Sequence, residues 1–183
     1  MERCFWCNLK NPLYVKYHDE EWGCERFDDG YLFEMLLLES FQAGLSWECV
    51  LNKREAFRKA FDGFDVDKIS KYDEEKIDLL CANKAIIRNR AKIKAAVNNA
   101  YIFKTIVAEN GSFLNYIRLF WNGETVYDSV SLTSALSDSI SADLKKRGMK
   151  FTGTTVIYSF LQAIGVVNSH TKNCFLYNIK KEL

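Results

Sequence analysis

Proline is almost missing from this sequence: Pro12 is the only one in 183 residues, and glycine occurs only nine times. With so few breakers, little interrupts the chain where helical periodicity is present. No apolar run approaches the roughly 20 residues that a membrane-spanning helix requires. The opening MERCFWCNLK lacks the continuous apolar stretch of a secretory signal, so the expected location is the cytoplasm. An excess of one charge is also missing. Lys plus Arg number 25 against 24 Asp plus Glu, and the formal net charge is +1. A uniformly basic nucleic-acid-binding domain is thereby excluded, and any contact with DNA has to come from local patches. With 48% hydrophobic residues the chain is globular rather than disordered. Six cysteines in a reducing compartment read as thiols or metal ligands, not disulfides.

What is present is mostly helical pattern. In DDGYLFEMLLLES, Leu32, Met35 and Leu36 share a face, and Asp28 and Asp29 suit the helix start. The periodicity predicts further helices over 46–60, 73–81, 86–107, 111–120, 137–147 and 154–165. ETVYDSV, at 124–130, is the one strand candidate. The expected fold is all-α, a single domain over 1–183 that can divide into two lobes. Two basic stretches, KAIIRNRAKIK (84–94) and LKKRGMK (144–150), read individually as solvated helix faces.

Four features carry chemistry. In HTKNC, His170 and Cys174 stand at a spacing that stacks side chains on a helix face and that zinc ligands use. Spacing alone leaves their partners open: Cys4 with Cys7 as a C-x-x-C pair, or a set that includes His18. Either set would tie the two ends of the chain together. Glu39 continues the apolar face of Leu32, Met35 and Leu36, and a carboxylate there must be hydrogen-bonded, protonated or functional. Around it gather Trp6, Tyr14, Tyr17, Trp22 and Trp47, flat side chains able to stack on a planar cation or base. Finally, LKKRGMKFTGTTVIYSF reads as helix, glycine-containing loop and new helix at Thr154, an arrangement that receives phosphate at the helix N-terminus.

MERC, NPLYVKYHDEEWG, LFEMLLLESFQAGLSW, LKKRGMKFTGTTVIYSFLQA and the closing H-x-x-x-C occur together and in order from residue 1 to about 174. In this combination the chain resembles the 3-methyladenine DNA glycosylase I family. The resemblance implies a helix-hairpin-helix DNA glycosylase fold with a structural zinc ion joining the N- and C-terminal segments through Cys4, His18, His170 and Cys174. It implies that Glu39 and Tyr17 hydrogen-bond the excised base, that Trp47 stacks on it, and that Trp6, Tyr14 and Trp22 complete the pocket. Gln42, Gly44 and Leu45 correspond to the turn that wedges into the duplex. Gly148 to Thr154, which includes Gly153, corresponds to the phosphate-binding hairpin, with Lys146 just before it and Lys150 within it as candidate phosphate contacts. Phe41 and Thr152 depart from the family's usual residues.

The implied activity is release of 3-methyladenine from alkylated double-stranded DNA by a monomeric enzyme. Methylation at N3 makes the base a cation, so it leaves neutral and needs no general acid. The stretch 149–174 contains no acidic residue that could serve as a catalytic aspartate after the hairpin. The expected reaction is therefore monofunctional, with water attacking the sugar and the backbone left intact. The alternative is a zinc-stapled module that recognises lesions without excising them.

Overall fold

The computed structural model describes residues 1–179 and the backbone of residues 181 and 182. Helix α1 (Pro12–Lys16) starts with the only proline at its first position, where the missing N–H costs nothing, and is capped by the Asn11 side chain. It runs into a π-helical turn, Tyr17–Glu21, closed by the Trp22 N–H on Tyr17 O at 2.8 Å. A two-residue strand β1 (Cys24–Glu25) follows. Helix α2 (Asp29–Gln42) is capped by Asp28, whose carboxylate accepts the Tyr31 N–H. Every residue from Tyr31 to Phe41 is buried, so α2 is the central helix of the molecule.

The remaining elements wrap around α2. They are α3 (Trp47–Leu51), α4 (Arg54–Ala60), α5 (Val66–Ile69), α6 (Glu74–Ala82), α7 (Arg90–Asn110), α8 (Phe113–Ile117), β2 (Val126–Tyr127), α9 (Ala135–Lys146), α10 (Thr154–Ala163), β3 (Val167–Asn168) and β4 (Lys181–Glu182). The strands form two parallel two-residue ladders, β1 with β4 and β2 with β3. Contacts of α10 with α9 and α2 join the hairpin to the core. Buried Phe33, Phe103, Phe113 and Phe160 fill the space between α2, α7, α8 and α10. Among the described residues no helix is long and apolar enough to cross a membrane.

The all-α expectation holds, with local corrections. The helix expected over 46–60 breaks at Asn52 and Lys53, where the Asn52 side chain accepts from Asn11 and ties the break to α1. The helix expected from 86 starts at Arg90, because Asn89 caps it by accepting the Lys92 N–H. The expected strand over 124–130 shrinks to Val126–Tyr127. Within the 84–94 stretch Arg90 pairs with Glu74 and Asp78, Lys94 pairs with Glu74 and Lys92 is buried, which leaves Lys84 and Arg88 as its exposed cations without an ion pair among the described residues.

Candidate functional site

A cavity of about 300 Å³ opens between the N-terminal segment, α2, α3 and α10. Trp6, Tyr14, Tyr17, Trp22, Glu39, Gln42 and Trp47 all line it, so the structure brings together the whole aromatic set and the acid singled out from sequence. Tyr17 and Trp47 face each other with ring centroids 5.2 Å apart and a 43° tilt. On the other side Trp6 contacts Tyr14 at 5.6 Å and stands edge-on to Trp22 at 4.7 Å.

Glu39 lies at the bottom, 4% exposed. Its Oε2 and the Trp47 Nε1 are buried without a hydrogen-bond partner. Unpartnered buried polar atoms are rare and costly, and these two supply one acceptor and one donor to the same cavity. Burial alone pushes the Glu39 carboxyl up to about 8, and burial likewise raises the Tyr17 phenol far above its ordinary value. The cavity thus offers flat aromatic faces and an acid that gains from a cationic neighbour.

Sequence reasoning missed part of the wall. Ser159 and Gln162 on α10, Ser169, Thr171, Phe5 and the 129–132 loop also line the cavity. Ser159 and Gln162 are three residues apart on the largely apolar second half of α10, a signal that was available. The loop gave no periodic signal at all.

Behind the aromatic wall, Cys4 Sγ, His18, His170 and Cys174 Sγ converge, each buried, with ligand atoms within 4.8 Å of one another. Cys4 Sγ lies 3.4 Å from His170 Nδ1, and Cys174 Sγ lies 3.5 Å from both His170 Nδ1 and His18 Nε2. Metal–ligand bonds of about 2.0–2.3 Å in a tetrahedron put neighbouring donors roughly 3.5 Å apart, so the group fits a four-coordinate N/S metal ion. Around it the surroundings match: Asp19 meets His18 Nδ1 at 2.8 Å and is clamped by Arg3 at 2.6 Å, while the Thr171 and Leu176 N–H groups point at the two sulfurs. Cys7 is outside the group, its thiol directed at Tyr14 O. His170 and Cys174 meet through a tight turn rather than along a helix face.

Two surface elements flank the cavity. Gln42 to Leu45 form a turn at the end of α2, with the Leu45 side chain 43% exposed at its tip. The hairpin between α9 and α10 presents exposed Lys146 and Lys150, and Gly153 caps α10 with no side-chain bond to its first N–H groups. The Thr154 hydroxyl is engaged by Ser137 and Asp138, and Arg147 by Glu109 and Asp143, so backbone amides and the two lysines are what the hairpin offers. Phe41 packs in the core on Phe57 at 4.7 Å, and Thr152 is buried in the hairpin, its carbonyl held by Ser141.

The profile of the methyladenine glycosylase family matches residues 6–177. DNA-3-methyladenine glycosylase 1 of Escherichia coli is 42% identical over 97% of both chains. A crystal structure of 3-methyladenine DNA glycosylase I superposes with a TM-score of 0.92 at 41% identity, covering 96% of this chain and all of that one. A tyrosine variant of 3-methyladenine DNA glycosylase I in complex with 3-methyladenine gives a TM-score of 0.90 at 34% identity, over 96% of this chain and 97% of that one. The chain belongs to the methyladenine glycosylase family.

Proposed function

We propose that the protein is a DNA repair glycosylase that hydrolyses the N-glycosidic bond of 3-methyladenine in alkylated duplex DNA and so initiates base excision repair. The observation that carries this reading is the buried Glu39 carboxyl beside the Tyr17–Trp47 pair in a cavity large enough for a purine. Relatives named for this activity, alike over nearly the whole chain, support it.

A base must leave the stack to enter such a cavity, at a cost of a few kcal/mol. Leu45, entering the space it vacates, and stacking on Trp47 offset that cost. Glu39 and Tyr17 hydrogen-bond the methylated base, while Trp6, Tyr14 and Trp22 exclude water around it. The positive charge on the methylated ring favours ionisation of Glu39, and neutral adenine gains no such term, which makes charge the basis of selection. Water attacks the sugar carbon as the base departs neutral, and the DNA backbone stays intact. Lys146, Lys150 and the amides following Gly153 hold phosphates.

Cys4, His18, His170 and Cys174 would hold a structural zinc ion. With four protein ligands it has no open position, and what it supplies is cross-linking of the chain ends, not chemistry at the base. The enzyme acts as a monomeric single domain in the cytoplasm.

Incubating the protein with methylated duplex DNA and chromatographing the released bases tests the reading. Free 3-methyladenine with unbroken strands is expected. Tight DNA binding with no base released would make the protein a lesion-binding module instead.

A further inference from the structure

The turn that carries Leu45 is braced from behind by a buried lysine. The Leu45 N–H donates to Gln42 O at 2.6 Å. Ala43 has φ −45° and ψ 112°, and Gly44 has φ +79°. These angles describe a type II β-turn, in which the peptide between the two central residues is turned over relative to type I. Its carbonyl, Ala43 O, therefore points to one particular side.

Lys92 of α7 waits on that side, only 6% exposed. Its Nζ donates to Ala43 O at 2.6 Å and to Phe41 O at 2.7 Å. Phe41 O is among the carbonyls left over at the C-terminus of α2, where a cation is also favoured by the helix dipole. The Phe151 ring of the hairpin has its centroid 5.8 Å from the same nitrogen. Farther along α7, Asn99 exchanges two hydrogen bonds with the Lys150 backbone at 2.8 and 2.9 Å, and Asn98 donates to Gly148 O at 3.0 Å. One helix thus grips both the Leu45 turn and the hairpin.

We propose that Lys92 is a positioning residue that selects the type II form of the 42–45 turn and holds Leu45 in register with the hairpin. The inference rests on the glycosylase reading and extends it to a residue whose ammonium is occupied by two backbone carbonyls. Without the ammonium, two carbonyls lose their donor and the central peptide can turn over, redirecting Leu45.

The test uses Lys92→Met, which keeps the stem and removes the charge. Single-turnover excision from duplex should fall about tenfold or more, the scale of an ångström-sized misplacement. Affinity for free 3-methyladenine should stay within about twofold, because the pocket itself is untouched. In single-stranded substrate, where there is no duplex for Leu45 to enter, the deficit should shrink. A crystal structure of the variant, which needs no substrate, should show the Ala43–Gly44 peptide turned over. Lys92→Arg keeps the charge but replaces the compact ammonium with a larger planar fork, and should show the same pattern to a smaller degree; it decides the matter if Lys92→Met does not fold. A type II turn retained in the variant overturns the proposal, as does a wild-type duplex rate. Equal losses in duplex rate and free-base affinity would make Lys92 a general fold residue and overturn it too. If the unmodified protein releases no base, the glycosylase reading fails, while the conformation of the Ala43–Gly44 peptide still judges Lys92.

Discussion

Trp22 and His170 stand edge to face, ring centroids 4.7 Å apart at 86°. Trp22 lines the cavity and His170 belongs to the four-residue N/S group, so one ring contact joins the two sites. Trp6 adds a second, lying 5.2 Å from the His18 ring. A metal ion held by Cys4, His18, His170 and Cys174 would therefore order the aromatic wall as well as the chain ends.

His18→Ala or Cys174→Ser should abolish bound zinc and lower thermal stability. Losing a ligand present at a thousandfold excess over its Kd costs about 4 kcal/mol, roughly 10 °C for a chain of this length. Cys7→Ser should keep the metal and most of the stability. Metal analysis of the purified variants with parallel melting curves checks both. Zinc lost from Cys7→Ser and retained by His18→Ala would contradict the ligand set.

Glu39 makes stability depend on pH in a defined window. Burial raises its carboxyl from the ordinary 4.5 to about 8 in the folded protein. Between those values the folded state holds a proton that the unfolded state has released, so stability falls as pH rises through the window. Glu39→Gln has no such proton. Relative to wild type it should gain stability by a few kcal/mol from pH 5 to 8 and then level off. Urea denaturation at both pH values checks this, and parallel curves for the two proteins would contradict it.

Much of this architecture was written in local signals. Asp28 before an apolar helix, the Gly148–Thr154 punctuation and the Glu39 position each follow from near-neighbour rules, and the structure matches them. The choice of His18 over Cys7 did not come from spacing, since both stand at workable distances along the chain. It depends on the π-helical turn, which aims Tyr17 at the cavity and His18 at the four-residue N/S group from adjacent positions. The break at Asn52 depends on a side chain 41 residues away. The role of Lys92 was hidden for the same reason: a lysine among basic neighbours looks solvated until the fold lays it under α2.

Gly165 fixes how the N-terminal segment lies on α10. Its φ is +83°, and an added Cβ would meet the Cys24 and Glu25 backbone at 2.6 Å. Gly165→Ala should destabilise the protein by about 2–4 kcal/mol, combining a left-handed backbone with overpacking. Because Trp22 precedes that contact, affinity for 3-methyladenine should also fall. Equilibrium denaturation with a ligand titration tests both effects.

Lys146 and Lys150 are exposed on the hairpin and have no ion-pair partner among the described residues. Replacing both by alanine should weaken binding to damaged and undamaged duplex alike and flatten the slope of log K against log salt by roughly 2. Fluorescence anisotropy across a salt series measures it. An unchanged slope would place the DNA-facing surface elsewhere.

The central claim is that a buried carboxylate recognises a cationic methylated base, and titration of free 3-methyladenine, at a pH low enough to protonate the base, into the wild type and Glu39→Gln tests it most directly. Tryptophan fluorescence from the cavity reports binding. Glu39→Gln keeps the shape but cannot ionise when the cationic base enters, so it should fold and retain zinc. It should nevertheless bind the base more weakly by about 1.5–3 kcal/mol, a factor of roughly 10 to 150. Equal affinities would contradict the account, leaving Glu39 a structural acid and the selectivity to other groups.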